Sequence, residues 1–365
     1  MIRTAVKRIA LEILLPTANE RDEKNLFNYD GIAALGKSGI MGMILPSEFE
    51  GANLDIYSFI SSVEEISKVC ASTALALLSH TVASQAIAKF GNDEIKNRYL
   101  PLLASGEKLG AFAVHESASG SIAGAIQTKA ALNGEFYIVK GSKFFITNGG
   151  VADYYVTLVR TNTEESKEFS LLLVERQSEG LSTGKQDRRM GLNGTASTEV
   201  FFDECRVNNK NLLGTRGSGL KAVVNLVTEL ALPGMSSIAI GLAQAALEAS
   251  IKHASSRTIG EQPINMQPAV QFLIAEMSTT MEAMRGIMEL SLKKETPLAA
   301  YQAKLFTTEK VLQVTDMALQ VHGGHGYTKE IPVERYYRDA RGLKLHFMTS
   351  ELLKINIGKS LLGIG

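Results

Sequence analysis

The sequence predicts an α+β protein made of three consecutive blocks: a helical N-terminal domain, a central antiparallel β-domain and a helical C-terminal bundle. Three observations predict it. Apolar residues recur every three or four positions from Asp30 to about Gly106, short β-branched and aromatic runs fill Leu109 to about Gly214, and helical spacing returns from Gly217. The blocks are therefore drawn at residues 1–108, 109–214 and 215–365.

In the first block, Ile32, Leu35 and Ile40, then Phe59, Val63, Ile66 and Val69, mark the apolar faces of successive helices. Pro46 and Gly51 break one segment. Asn92 with Asp93 caps a helix expected to run through Arg98 until Pro101 interrupts it. In the second block EFYIVKG follows an Asn133-Gly134 turn, and KFFIT, YYVTLVR, FSLLLVE and TEVFF come after it as strands. Asn148-Gly149-Gly150 and Asn193-Gly194 supply turn chemistry between them. The third block reads as helices over LAQAALEASIKHASS, AVQFLIAEMSTTMEAMRGIMELSLKK, Leu298 to Val321, and a last one after Thr349.

Composition narrows the function classes. The chain is 45% hydrophobic and 21% charged, the balance of a core-forming soluble protein. Lysine plus arginine and aspartate plus glutamate number 38 each, so no net field attracts a nucleic acid or an anionic membrane surface. The longest apolar candidate for a span, Met235 to Ala246, is short and carries Ser, Gly and Gln. Cys70 and Cys205 are the only cysteines, and Lys7, Arg8 and Glu12 interrupt what a secretory leader would need as an apolar stretch, so a reducing cytoplasm is the expected compartment.

Four segments carry more specific information: FAVHESASGS from Phe112 to Ser121, FITNGG ending at Gly150, MGLNGTASTEVFFDECRV from Met190 to Val207, and LQVHGGHGYTKEIPVERYYRDAR from Leu319 to Arg341. Taken in order and at this spacing, they resemble the acyl-CoA dehydrogenase flavoprotein family over nearly the whole chain. Their counterparts there are F-x-x-T-E-P-x-A-G-S-D, W-I-T-N-G, M-G-x-R-x-S-x-T-x-E-V-x-F-D-x-V-x-V and Q-x-x-G-G-x-G-Y-x-x-E-x-P-V-E-R-x-x-R-D-A. A lone G-G-x-G would be weak, whereas the ordered set is specific. The resemblance implies a C-terminal four-helix bundle, bound FAD, a CoA or acyl-carrier-protein thioester as ligand, and a homotetramer or dimer. An electron-transfer flavoprotein or a catalytic paralogue is a further partner that it allows.

It also implies a set of cofactor positions. Phe112, Val114, His115, Gly120 and Ser121 lie in the flavin loop, Phe145, Ile146 and Thr147 in the following strand, and Thr147 would donate towards flavin N5. His115 stands where the family has threonine; its ring is either a protonated partner for reduced flavin or a neutral hydrogen-bonding group. Ser117 replaces a proline and Ile122 an aspartate. Thr258, Gln267, Gln320, Gly323 and Gly324 match positions that hold the diphosphate and adenosine, partly for a neighbouring subunit, and Thr349, Ser350 and Glu351 match the T-S-E that closes on the cofactor. The family's phosphate arginine falls on Ser256, with Arg257 one residue late, so Arg257 substitutes only if the helix end is irregular. His322 and His325 flank the glycine pair without a third ligand at metal spacing, and no metal is expected.

The catalytic base is missing. Dehydrogenation removes an α-proton to a carboxylate while β-hydride passes to the flavin. The family's glutamate position holds Phe347, followed by Met348 in place of glycine, and the alternative position on the preceding helix holds Ala231, followed by Leu232 in place of arginine. Glu229 aligns with a residue on the ligand side, and with Ser121, Leu232 and Met348 forms the expected substrate contacts. Glu229, His346 and His115 are the weak stand-ins for the base. Three readings stay open: an oxidoreductase with a relocated base, a relative running flavin monooxygenation or base-independent decarboxylation or desulfination, and a catalytically silent FAD- or CoA-binding subunit.

Overall fold

A computed structural model of the chain describes residues 2–117, 125–161 and 168–364. The N-terminal block comprises helices α1 (Ile2–Ile9), α2 (Ala18–Glu23), α3 (Tyr29–Lys37), α4 (Ile56–Ser67), α5 (Ala71–Phe90) and α6 (Asp93–Ala104). Side-chain caps set their starts: Asn28, Asp55 and Asn92 accept the amides of Gly31, Ser58 and Ile95 at 2.9, 2.8 and 2.9 Å. Pro101 does not interrupt the last of these helices, which runs on to Ala104. Burial of Leu100 and Leu103, each worth roughly 1.5–3 kcal/mol, offsets the hydrogen bond that proline forfeits.

Helix α5 is buried on every face from Ala71 to Ile87, the mark of a central helix. One polar group inside it has a structural task. His80 is fully buried, and its Nδ1 accepts the Gly110 amide at 3.1 Å, tying α5 to the first strand. Burial holds this ring down to about 4. Its folded value lies below the unfolded one, so the stability it allows is complete above about pH 6.5 and is lost as pH falls towards 4. A His80→Gln variant is expected to flatten that acid limb by on the order of 3 kcal/mol in urea unfolding between pH 6.5 and 4; an unchanged limb would refute the assignment.

The β-domain holds β1 (Gly110–Ala113), β2 (Lys129–Asn133), β3 (Phe136–Ile146), β4 (Tyr154–Arg160), β5 (Phe169–Glu175), β6 (Leu181–Gln186), β7 (Thr198–Asn208) and β8 (Leu212–Leu213), in the order β6-β7-β3-β2-β4-β5-β8 with β1 beside β4. Most pairings are antiparallel, but β1 runs parallel to β4, and so does β2 at its single contact. EFYIVKG and KFFIT are one bulged strand, and the polar β6, with no alternating apolar signal, joins through β7. Alternation explains the two-sided burial of β4: Tyr154, Val156 and Leu158 meet the helical core, while Tyr155 and Val159 join Val139, Leu172, Val200 and Phe202 in a second core. One face of the sheet thus packs on the helices and the other on its own apolar residues.

The C-terminal block contains α7 (Gly219–Leu226), α8 (Leu232–Ser256), α9 (Pro268–Lys294), α10 (Pro297–His322), α11 (Val333–Leu343) and α12 (Ser350–Leu362), with a small hairpin of β9 (Thr258–Ile259) and β10 (Gln262–Pro263) between α8 and α9. A π-turn at Val227–Ala231 joins α7 to α8, so Gly219–Ser256 is one run whose best window has hydropathy 1.5, long and apolar enough to cross a membrane; 94% of that window is buried inside the protein. Helix α8 crosses α4 closely. A Cβ at Gly241 would sit 1.8 Å from Ser67 Oγ, and Ser237 Oγ donates to Ile60 O at 2.6 Å.

Candidate functional site

Three stretches hold the residues singled out by sequence. The first is the edge of the β-domain. Alternation along β3 puts Tyr137, Val139 and Lys143 inward, and would put Phe145 inward as well. An irregularity between Lys143 and Ile146 shifts the register, and Phe145 instead takes φ +54° and stands 60% exposed. Its ring lies 6.1 Å from that of His115, whose carbonyl accepts the Phe144 amide at 3.0 Å. Phe112 and Ile146 are buried nearby in sequence, Val114 is half-buried, and Thr147 is buried with its carbonyl accepting Ser79 Oγ at 3.4 Å. Asn148 bolts the following turn down, its amide nitrogen donating to Ala76 O and Gly110 O at 2.9 and 3.1 Å. Gly120 and Ser121 lie outside the described residues.

A buried ion pair underlies this edge. Lys143 Nζ donates to Glu116 at 2.7 Å and to Val114 O at 3.3 Å, and the carboxylate also accepts the amides of Gln127 and Thr128 at 2.7 and 3.0 Å. Burial pushes the Glu116 carboxyl upward, yet the Lys143 charge and these donors outweigh it and hold it below the ordinary range. Burial lowers Lys143 to about 8 against the attraction of Glu116.

The second stretch surrounds α10. Ala231 and Leu232 are fully buried where the π-turn meets α8, and the turn packs on α5 and α10. π-turns of this kind often mark functional positions. Glu229, within the turn, is half-exposed and paired with Lys89 of α5. On another side of α10, Phe347 adopts φ +57°, and both it and Met348 are half-buried against the main core. Lys304, fully buried on α10, donates to Met348 O at 2.6 Å; Glu309 accepts Ser350 Oγ and Lys344 Nζ, each at 2.6 Å. Burial pulls Lys304 down to about 7, opposed by Glu309 and Glu351. Thr349 is the N-cap of α12, accepting the Leu352 amide at 3.4 Å, and Glu351 stands exposed in its first turn. His346 donates from Nδ1 to Gly342 O at 2.8 Å, and burial, with the charges of Arg189 and Lys304, takes it down to about 4. Its ring is therefore neutral at physiological pH, with Nε2 as the acceptor nitrogen.

The third stretch is one end of the bundle. Ala254, Ile264 and Val321 form a small core there, and His253 stacks on His322 at 4.3 Å. Thr258, Gln267, Gln320, Gly323 and Gly324 are all exposed around it. Helix α8 stops at Ser256 and Arg257 is already extended, at φ −80° and ψ 128°, which is the irregular end that a displaced arginine requires. Gly323 holds φ +56°, and nothing lies within 4 Å of a Cβ built on it or on Gly324, so their backbone is open to a diphosphate. Among the described residues no three His, Cys, Asp or Glu gather as a metal site.

In two separate stretches, then, the fold leaves an aromatic ring exposed beside an imidazole and a glycine pair open beyond an extended arginine. The sequence reading did not single out Lys143, Lys304 or Glu309. The signal for the lysines was present, since Lys143 falls on the inward parity of β3 and Lys304 on the stripe Ala300, Ala303, Thr307, Val311 of α10.

Comparison with known proteins identifies the family. Residues 1–107 match the family description "Acyl-CoA dehydrogenase, N-terminal domain", residues 111–205 the middle domain, and residues 217–362 the C-terminal domain. An acyl-CoA dehydrogenase of Bacillus subtilis is 37% identical, over 100% of this chain and 97% of its own. Butyryl-CoA dehydrogenase from Megasphaera elsdenii superposes with a TM-score of 0.95 at 30% identity, covering 99% of this chain and 97% of its own. A prolyl acyl carrier protein oxidase superposes at 0.93 with 27% identity, covering 99% and 97%.

Proposed function

Because the chain belongs to the acyl-CoA dehydrogenase family, we propose that it is an FAD-dependent oxidoreductase of acyl thioesters in which phenylalanine occupies the place of the proton-accepting glutamate. The family membership carries the coarser part: a flavin-dependent enzyme acting on CH–CH bonds of a CoA or acyl-carrier thioester. The finer part rests on one observation. Phe347 is turned against the apolar core at φ +57°, and Ala231 is fully buried, so neither position offers a group that accepts a proton.

Bound FAD supplies the acceptor for a hydride leaving the substrate's β-carbon. The chain's own residues do the rest. Phe145 would cover the ring, and His115 and Thr147 would hold its polar edge. Leu232, Phe347 and Met348 exclude water at the thioester, and Glu229 with Lys89 meets the polar carrier arm. Neutral His346 holds the acceptor nitrogen closest in sequence to position 347, and its value of about 4 makes it a poor base for a weakly acidic carbon.

The assembly belongs to the same proposal. Ile259, Met266, Phe272 and Tyr327 are 67%, 61%, 67% and 91% exposed at the bundle end that carries the open glycines, an apolar surface suited to a second copy in a homotetramer or dimer. Sedimentation velocity reporting a monomer at micromolar concentration would refute it. Cys70 and Cys205 are both buried free thiols, in keeping with a cytoplasmic location that cell fractionation tests.

The deciding experiment is the visible spectrum of the purified protein followed by anaerobic titration with acyl-CoAs of graded length. Bleaching of the flavin band supports thioester oxidation and directs attention to a relocated base. A bound flavin that no thioester bleaches would replace this reading with oxygenation, base-independent cleavage or a requirement for a catalytic paralogue. Absence of flavin would leave a binding protein.

A further inference from the structure

We propose that Glu116 and Lys143 are positioning residues for the cofactor, their buried pair holding His115 and Phe145 at the ring edge in register; this rests on the flavin reading given above. Glu116 is 4% exposed and Lys143 fully buried, so the pair lies beneath the surface that carries His115 and Phe145. Among the described residues, one carboxylate gathers four donors. Glu116 Oε2 takes the Gln127 amide, while Oε1 takes the Thr128 amide, the Thr128 hydroxyl at 2.5 Å and Lys143 Nζ.

These bonds join three pieces of backbone that have no regular ladder between them. Residues 114–116 leave β1, residues 127–128 lead into β2, and Lys143 lies in the part of β3 just before its register shift. Lys143 binds the carbonyl before His115, and the next residue's amide binds the carbonyl of His115 itself. Thr128 also closes on β3, with Oγ1 3.4 Å from Ser142 O, and it packs so tightly that a Cβ at Gly141 would stand 2.7 Å from that hydroxyl. The pair therefore lies at the base of the exposed turn at Phe145. A neutral, shape-matched replacement would keep the packing while loosening the geometry that a charge-assisted bond imposes.

The two roles, structural and positioning, separate in a double variant. Removing one partner leaves a buried charge uncompensated, so Glu116→Gln or Lys143→Met alone is expected to lower Tm and FAD retention together. Glu116→Gln/Lys143→Met removes both charges and is expected to recover most of the Tm. Its FAD dissociation constant, followed by flavin fluorescence, is expected to remain at least tenfold weaker, with an altered visible circular dichroism of the bound flavin. Thr128→Val, which removes a single hydroxyl, is expected to weaken FAD several-fold at nearly unchanged Tm. Wild-type FAD affinity and circular dichroism in either the thermally recovered double variant or Thr128→Val would overturn the proposal. Should the double variant fail to fold, Thr128→Val decides alone. A wild-type protein that binds no FAD would instead refute the flavin reading on which this rests.

Discussion

Phe347→Glu is expected to raise the anaerobic rate of flavin bleaching by an acyl-CoA by about 10²–10⁴-fold, the usual worth of a positioned general base. The backbone after this position is held by groups other than the phenyl ring. Lys304 holds Met348 O from α10, Glu309 holds Ser350, and Thr349 caps α12, so the turn at φ +57° is clamped on its following side whatever side chain it carries. The position is half-buried among apolar residues, which raises a carboxyl's affinity for protons and brings it closer to the value that removal of a weakly acidic proton needs. Phe347→Gln supplies the control, with similar polarity and no basicity. A Gln variant equal to the Glu variant would attribute any gain to space rather than proton transfer. No gain from glutamate with any chain length would mean that the cavity is remodelled beyond this one residue.

Lys304→Met is expected to remove a pH-dependent contribution to stability. In the folded protein the Lys304 ammonium is lowered to about 7 from 10.5, chiefly by burial, with Glu309 and Glu351 opposing and Lys344 adding to the effect. Between those values the unfolded chain binds more protons than the native one, so the native state gains stability as pH rises through the window and loses it as pH falls towards 7. The difference between wild type and Lys304→Met in urea unfolding is therefore expected to shift by about 3 kcal/mol in favour of wild type between pH 7 and 9.5. A difference that stays constant across this range would place the ammonium in a solvated environment and contradict its burial against the Met348 carbonyl.

Much of the architecture was legible from spacing. The β-rich runs YYVTLVR and FSLLLVE, the Asn92 cap and the long stripes of the C-terminal helices follow from strand propensity, capping chemistry and the period of 3.6. Pro101 was misleading because the rule that proline ends helices is local, whereas the burial of Leu100 and Leu103 belongs to the whole block. Strand β6 left no signal: LSTGKQ pairs through its backbone with β7, and backbone pairing is not written in side-chain pattern. The parallel course of β1 beside β4 was equally invisible, since strand direction depends on the path of the intervening chain.

At the candidate site the same division holds. By itself the sequence determined that four motifs stand in this order, that position 347 carries phenylalanine, and that Arg257 follows Ser256. These are statements of residue identity and order, which a linear chain contains in full. Only the tertiary structure decided that a register shift turns Phe145 outward, that α8 ends at Ser256 so that Arg257 is extended, and that Glu229 is paired with Lys89 from a distant helix. It also decided that two lysines on inward-facing positions are buried as ties, one to Glu116 and one to a backbone carbonyl. The physical reason is that burial and pairing energies depend on groups 27 to 140 positions apart along the chain, brought together by packing that no local pattern encodes.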